Sequence, residues 1–415
     1  MGISCFGMTT VGSIDESNRI NDGVLQYSEI PGSNALEVSR SYDWPDGGIQ
    51  DLEIPDSVNL NGILRPVTTI GSEAFDCSNV KGEVSGKITI PTSVNVIKSR
   101  AFLANPVSIV ILPDSVQTIG ESAFYGCTNL TSAVIPTGTT TISEYAFANC
   151  DSLESVTFQP GIRTIGASAF QYCRMLAELK LPSELAILGD SAFKGCNSLK
   201  SVSLPGKVSV VGSECFSDCT ALESVIIPAS VSKISLSSFN PCIRLGQVTF
   251  LGSLPSIQSY SSSSFPETNP ARITIFCKPR KGFESFFADT EHYQIKYLSP
   301  DLVVSASSGK IIKNNGKAFH LGSIKKGRNG SVATFKIRNN GIKPLHISKV
   351  RLSGKGQTSF KILSYPKTTI AAGQSSSLRV RFQPVAMGEL KSSVQIKCDD
   401  PFESLYLLNL SGLGR

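Results

Sequence analysis

The chain is 415 residues long, more than one ordinary core holds, so two or more domains are expected. Only 17% of residues are charged, and 35 Gly with 22 Pro punctuate stretches rich in Val, Ile, Thr and Phe, a composition of short strands and turns rather than long helices. No run of eighteen apolar residues occurs, which excludes a transmembrane helix. The net charge of +6 is unevenly spread: residues 301–415 carry 19 Lys and Arg against 5 Asp and Glu, and residues 1–300 carry 20 against 28. A boundary near Pro300, between an acidic and a basic part, is therefore expected.

Taken from its start, the chain opens on residues 1–13 without a basic segment followed by an apolar one, so they do not read as a signal peptide. Phe6 stands where a myristoylation signal requires Ser or Thr. Residues 1–19 read as a disordered lead. Beyond them a period takes over, read as AFYGCTNLTSAVIP, AFANCDSLESVTFQP, AFQYCRMLAELKLP, AFKGCNSLKSVSLP and CFSDCTALESVIIP. Phe124, Phe147, Phe170, Phe193, Phe216 and Phe239 recur every 23 residues, as do Cys127, Cys150, Cys173, Cys196, Cys219 and Cys242. Prolines 113, 136, 160, 182, 205 and 228 keep step within one residue. The register reaches back through Phe102 and Phe75 with Cys77, past an insertion at 56–66, and fades at Phe265.

Each unit carries apolar residues as L-x-x-V-x-I before its proline, for example Leu199, Val202 and Leu204. The last two alternate, so they share one side of a short strand, which proline ends because it cannot donate to a ladder. A second apolar pair follows, as in Val116 and Ile119, then often a glycine turn. The Ser-Ala-Phe segment crosses the back of the coil as a short 3₁₀ or irregular turn. One unit cannot bury its own apolar side, but stacked units share a continuous core.

These residues resemble the BspA-like leucine-rich repeats, over about 49–270. The resemblance implies a mainly β solenoid, with a parallel sheet on its concave face and the short turns on its convex side. Residues 20–60, with YSEIP and Trp44, look like the family's N-terminal lead-in, and 272–298 like its closing segment, with a short helix around 283–288. The expected solenoid with its caps therefore spans 20–298. End caps of this kind cover sheet edges that would otherwise pair with other chains.

Eleven cysteines are present. Seven, the six above and Cys77, are assigned to one repeat position and read as a column of small buried thiols. Bridging between adjacent coils is the alternative; for Cys215 and Cys219, spaced C-x-x-x-C, the alternative is a metal. Only His292, His320 and His346 occur, none in a metal-ligand spacing or beside a nucleophile. Phosphate-loop, G-x-S-x-G and H-E-x-x-H motifs are missing. No catalytic, cofactor-binding or metal-binding residue is assigned, and no cofactor is expected.

From about Val303 the pattern becomes two-residue alternation with turns between. Candidate strands are 332–339, 345–352, 378–382, 393–397 and 405–410, with turns at Asn340-Gly341, Gly373 and Gly388. Five to seven short strands over about 110 residues suggest an antiparallel immunoglobulin-like β-sandwich over 301–415. FKIRNNGIKPLHISKVRLSG, TTIAAGQSSSLRVRFQP and CDDPFESLYLLNLSG resemble the ASH-type (choice-of-anchor D) immunoglobulin-like domains, a scaffold resemblance that carries no ligand residue. Lys310, Lys313, Lys317, Lys325, Lys326 and Arg328 cluster in sequence and make a candidate polyanion site; the alternative is a solvated basic face.

The resemblance, together with the pairing of a repeat array and an immunoglobulin-like domain, implies a non-enzymatic function: an extracellular or cell-surface adhesion or binding protein, monomeric, that presents the solenoid to a protein or cell-surface ligand. A cytoplasmic location stays open. The outward strand positions Glu53, Thr89, Ile111, Val134, Thr157, Lys180, Ser203, Ile226 and Thr249 are the candidate contact stripe. A structural spacer, or polyanion binding by the basic domain, are the alternatives.

Overall fold

The computed structural model describes residues 13–14, 20–21, 24–41, 48–60, 62–78, 84–257, 264–265, 273–277, 287, 293–298, 301–400 and 404–415. These fall into two compact units, the first within Met1–Ile273 and Asp289–Tyr293, the second within Thr274–Ala288 and Gln294–Arg415. Both are mainly β; among the described residues the sole helix is one 3₁₀ turn, Gln357–Ser359. The expected helix around 283–288 lies, but for Phe287, outside the described residues.

In the first unit the coils stack through three hydrogen-bonded segments, one of them broken at a single coil. The first ladder stacks Leu52–Glu53, Lys87–Thr89, Ile109–Ile111, Ser132–Ile135 and Ser155–Phe158 in parallel. It resumes with Ser201–Ser203, Ser224–Ile227 and Gln247–Phe250. Residues 177–181 of the intervening coil join neither half. Their segment, Ala-Glu-Leu-Lys-Leu, is the one coil position here without Val, Ile or Thr, the residues that best fit a pleated, half-buried surface.

The glycine-marked apolar pair forms a second parallel ladder that the sequence pattern does not announce as strand. It runs Ile63–Ile70, Val96–Ile97, Thr118–Ile119, Thr141–Ile142, Thr164–Ile165 and Ile187–Leu188, then Val210–Val211, Lys233–Ile234 and Ser256–Ile257. An antiparallel meander, Ile20–Asn21, Leu25–Glu29 and Leu36–Arg40, closes its first edge, since Leu36–Arg40 pairs parallel with Ile63–Ile70. Ser13–Ile14 extends that meander; the rest of 1–19 lies outside the described residues. The insertion at 56–66 is a hairpin, Ser57–Leu60 with Ile63–Ile70.

The Ser-Ala-Phe segment is a turn shared between coils. The N–H groups of Ser122, Phe124 and Gly126 donate to Glu144, Ala146 and Ala148 of the next coil at 3.0, 2.8 and 2.8 Å. The alternate N–H groups, of Ala123, Tyr125 and Cys127, donate back three residues at 3.2, 3.1 and 3.2 Å. Directing successive N–H groups along and then within the coil places left-handed residues two before and two after each Phe from Phe102 to Phe216, such as Ser168 (φ 53) and Tyr172 (φ 58) around Phe170.

The phenylalanines behind that turn make one stack: Phe75, Phe102, Phe124, Phe147, Phe170, Phe193, Phe216, Phe239 and Phe265. Ring centroids are 5.0 Å apart for Phe102–Phe124 and 5.6 Å for Phe193–Phe216, with planes 7° and 6° from parallel. Each ring is buried, a contribution of about 1.5–3 kcal/mol apiece.

The six cysteines spaced by 23 form a second buried column, all free thiols. Each donates to the carbonyl of the preceding coil's Phe, as Cys150 to Phe124 and Cys173 to Phe147, both at 3.2 Å. Cys77 is corrected out of this column: it sits two residues after its Phe instead of three and is half-buried. Asn105 takes the corresponding place after Phe102, and its Nδ2 donates to Phe75 O at 3.0 Å. The position therefore selects a small buried donor that adds a second hydrogen bond to a carbonyl such as Phe124 O, which also accepts from Cys127 N at 3.2 Å.

The second unit is two five-stranded sheets around one core. One runs Ile311–Ile312, Leu302–Ala306, Val332–Asn339, Ser375–Phe382, Phe360–Ser364; the other Phe319–Ile324, Leu405–Gly414, Gly388–Cys398, Leu345–Ser353, Thr369–Ile370. Neighbours are antiparallel except Phe319–Ile324 with Leu405–Gly414. Leu302, Val304, Phe335, Ile337, Leu378 and Val380 from the first meet Ile347, Val394, Ile396, Tyr406, Leu408 and Leu410 from the second. The expected count of five to seven strands is low: ten form. Those not foreseen are short or interrupted, as Phe319–Ile324 is by Gly322 (φ 96) and a register shift.

Candidate interaction face

Along the outward side of the first ladder, strand geometry aligns residues that do not repeat. Inward residues Ile88, Ala133, Val156, Val202, Val225 and Val248 are buried, so alternation turns their neighbours out. Register puts Glu53 beside Thr89, Thr89 beside Ile111, and Val134 beside Thr157. After the interruption it puts Ser203 beside Ile226 and Ile226 beside Thr249. Lys180 belongs to neither row, because its coil leaves the ladder; it is exposed in irregular backbone. The stripe is thus two rows rather than one.

Ile111, Val134 and Ile226 are 45%, 48% and 39% exposed, apolar points in an otherwise polar row. Thr157 and Ser203 are exposed, and Thr89 and Thr249 half-buried. A parallel outward row was missed two residues earlier: Ile109, Ser132 and Ser155 on one side of the gap, Ser201, Ser224 and Gln247 on the other. The signal for it was the same two-residue alternation, overlooked because the repeated Ser reads as part of the motif.

No acid–base constellation accompanies this face. Among the described residues no three His, Cys, Asp or Glu side chains gather in metal-binding geometry. Burial pushes the column thiols up, Cys219 to about 12 and Cys173 well above the ordinary range. These thiols are unreactive packing groups rather than nucleophiles. Cys215, also buried, follows the same rule. His320 and His346 meet only Ser411 and Thr369 hydroxyls, at 3.2 and 3.1 Å; His292 lies outside the described residues.

The basic cluster read from sequence is divided by the fold. Lys310 lies in the turn joining Leu302–Ala306 to Ile311–Ile312. Lys313 and Lys317 flank a segment held to Leu407 through Asn314 and Asn315. Lys325, Lys326 and Arg328 follow Phe319–Ile324, where Lys326 N donates to Arg415 O. All six are exposed, but the strand Phe319–Ile324 separates Lys317 from Lys325 by about 20 Å.

Comparison with known proteins places these features. Residues 57–177 and 163–292 match the family described as BspA type leucine rich repeat region, in six copies. Residues 312–413 match a family described as a protein of unknown function, DUF1573. No curated protein matches the chain. Similar solved structures include a leucine rich cell surface protein from Faecalibacterium prausnitzii A2-165, 21% identical over 58% of this chain and 97% of that one, TM-score 0.32. Another is the T. pallidum leucine rich repeat protein, 24% identical over 57% and 84%, TM-score 0.34. A third is the pneumococcal vaccine antigen PcpA, 16% identical over 69% and 98%, TM-score 0.29.

Proposed function

The chain belongs to the BspA-type leucine-rich-repeat family, and we propose that it is a non-enzymatic adhesion or binding protein of the cell surface or extracellular space. In this reading the outward side of the first ladder contacts a protein or cell-surface ligand. The observation that carries it is the division of labour within the repeat. Phe, Cys and the inward aliphatics repeat and are buried, whereas Ile111, Val134, Thr157, Lys180, Ser203, Ile226 and Thr249 vary and face outward. Repeats stacked this way offer an extended surface suited to a large partner. Its mixed content, isolated aliphatics among hydroxyls, fits a protein surface better than a ligand that repeats with the coils. The modules of this proposal are 20–298 for contact and 301–415 for presentation.

The test is capture of surface proteins by the full chain, by a Thr157→Glu/Ser203→Glu variant, and by an Arg174→Glu variant altered at the shared turn. Retention of a partner by the wild type and the Arg174 variant, with loss in the double variant, is expected. Retention by all three moves the contact off this face.

A further inference from the structure

In the second unit, the fold assembles a row of cations that no cluster in the sequence shows. Along Val332–Asn339, Ser375–Phe382 and Phe360–Ser364 the inward residues Phe335, Ile337, Leu378, Val380, Phe382 and Phe360 are core. The alternate residues Lys336, Arg338, Arg379, Arg381 and Lys361 therefore share the outer side. Register pairs Lys361 with Arg381 across one strand boundary, and Arg379 with Thr334 across the next. Lys336, opposite Ser377, stands diagonally to Arg379, and Arg338 continues the line. The five form an oblique row over three strands, with backbone steps of about 5 Å across a pair and about 7 Å along a strand or diagonal.

No described residue neutralises this row. None of the five takes part in an ion pair or side-chain hydrogen bond among the described residues, and Arg381 Nε is buried without an acceptor. The five strands of this sheet contain no Asp or Glu; the nearest carboxylate in register is Asp301, just before Leu302. Lys336, Arg338, Arg379 and Lys361 are exposed and Arg381 half-buried. Like charges on facing positions destabilise a sheet, and an anionic chain lying along the row would relieve that repulsion.

We propose that this sheet face binds a linear anionic polysaccharide, its sulfate or carboxylate groups met in turn by Lys361, Arg381, Arg379, Lys336 and Arg338. Three of the five are arginines, whose planar forks suit sulfate and carboxylate. The outward residues of the three strands include no aromatic ring on which a base could stack, which argues against single-stranded nucleic acid. The row spans three strands, broader than the single helix or two-stranded ribbon that a duplex major groove admits.

The experiment measures binding of the full chain to heparin, used as the sulfated probe, to uncharged dextran and to duplex DNA, from 50 to 300 mM salt. Heparin is expected to bind at low salt and dextran not to bind. Arg379→Ser/Arg381→Ser and Lys336→Ser/Arg338→Ser, each melting with the wild type, should each weaken heparin about tenfold. Each should also lower the slope of log affinity against log salt by about two, one per lost cation. Lys310→Ser/Lys325→Ser/Lys326→Ser should bind as the wild type does. Absence of heparin binding at 50 mM salt overturns the proposal, as does a loss confined to the Lys310 variant. Duplex DNA bound more tightly than heparin at equal salt overturns the polysaccharide assignment in favour of nucleic acid.

Discussion

At the scale of single residues, the column of thiols links packing to pH. Burial disfavours the thiolate, so Cys127, Cys150, Cys173, Cys196, Cys219 and Cys242 all titrate higher in the folded chain than the free thiol does. The unfolded chain loses those protons from about pH 8.5 upward and so binds fewer than the native one. Stability contributed by the neutral thiols is complete below that pH and declines as pH rises through it toward 12, the folded value at Cys219. The melting temperature is expected to hold between pH 6 and 8 and fall above pH 9. The fall should be shallower in a Cys173→Ser/Cys196→Ser chain, whose hydroxyls do not titrate there; identical slopes would assign the decline to other groups. Asn105 serves the same carbonyl-capping purpose without a thiol, so hydrogen bonding as well as size decides the position.

At the scale of elements, the first ladder stops at 177–181, a segment that lacks Val, Ile and Thr. Residues 177–181 donate no backbone hydrogen bond, whereas Ser132–Ile135 and Ser155–Phe158 are paired throughout. Amide exchange by residues 178–181 is therefore expected to be at least about tenfold faster than by 133–135, since local opening tracks unpaired backbone. Equal protection would mean that the ladder closes across this coil in solution. The period of 23 made the coils, their strands and the phenylalanine stack legible, because identical spacing leaves one way to superpose buried residues. It did not reveal the second ladder, whose strands are two residues long and leave no alternation to read. Nor did it reveal the break at Lys180, where spacing is kept while strand propensity fails. In the second unit the strand Val332–Asn339 was legible to the residue. Leu302–Ala306 and Thr369–Ile370 were not, being short and set by pairing rather than by local pattern. The row Lys361, Arg381, Arg379, Lys336 and Arg338 was hidden for the same reason: register between distant strands brings it together, whereas the sequence cluster from Lys310 to Arg328 is divided by the fold.

At the scale of the whole molecule, the repeat commits its recurring features to packing. Phenylalanines stack, thiols cap carbonyls and inward aliphatics fill the core, leaving the varied outward residues of the first ladder exposed or half-buried. Membership of the BspA-type repeat family fits that division, and no described helix is long and apolar enough to cross a membrane. The most direct check is cysteine-by-cysteine labelling of the native chain with a thiol reagent at pH 7.5, read by peptide mass spectrometry against the unfolded chain. The account predicts that Cys77 labels before Cys127, Cys150, Cys173, Cys196, Cys219 and Cys242, which label only on unfolding. Rapid native labelling of that column would contradict the stacked core from which every other conclusion is built.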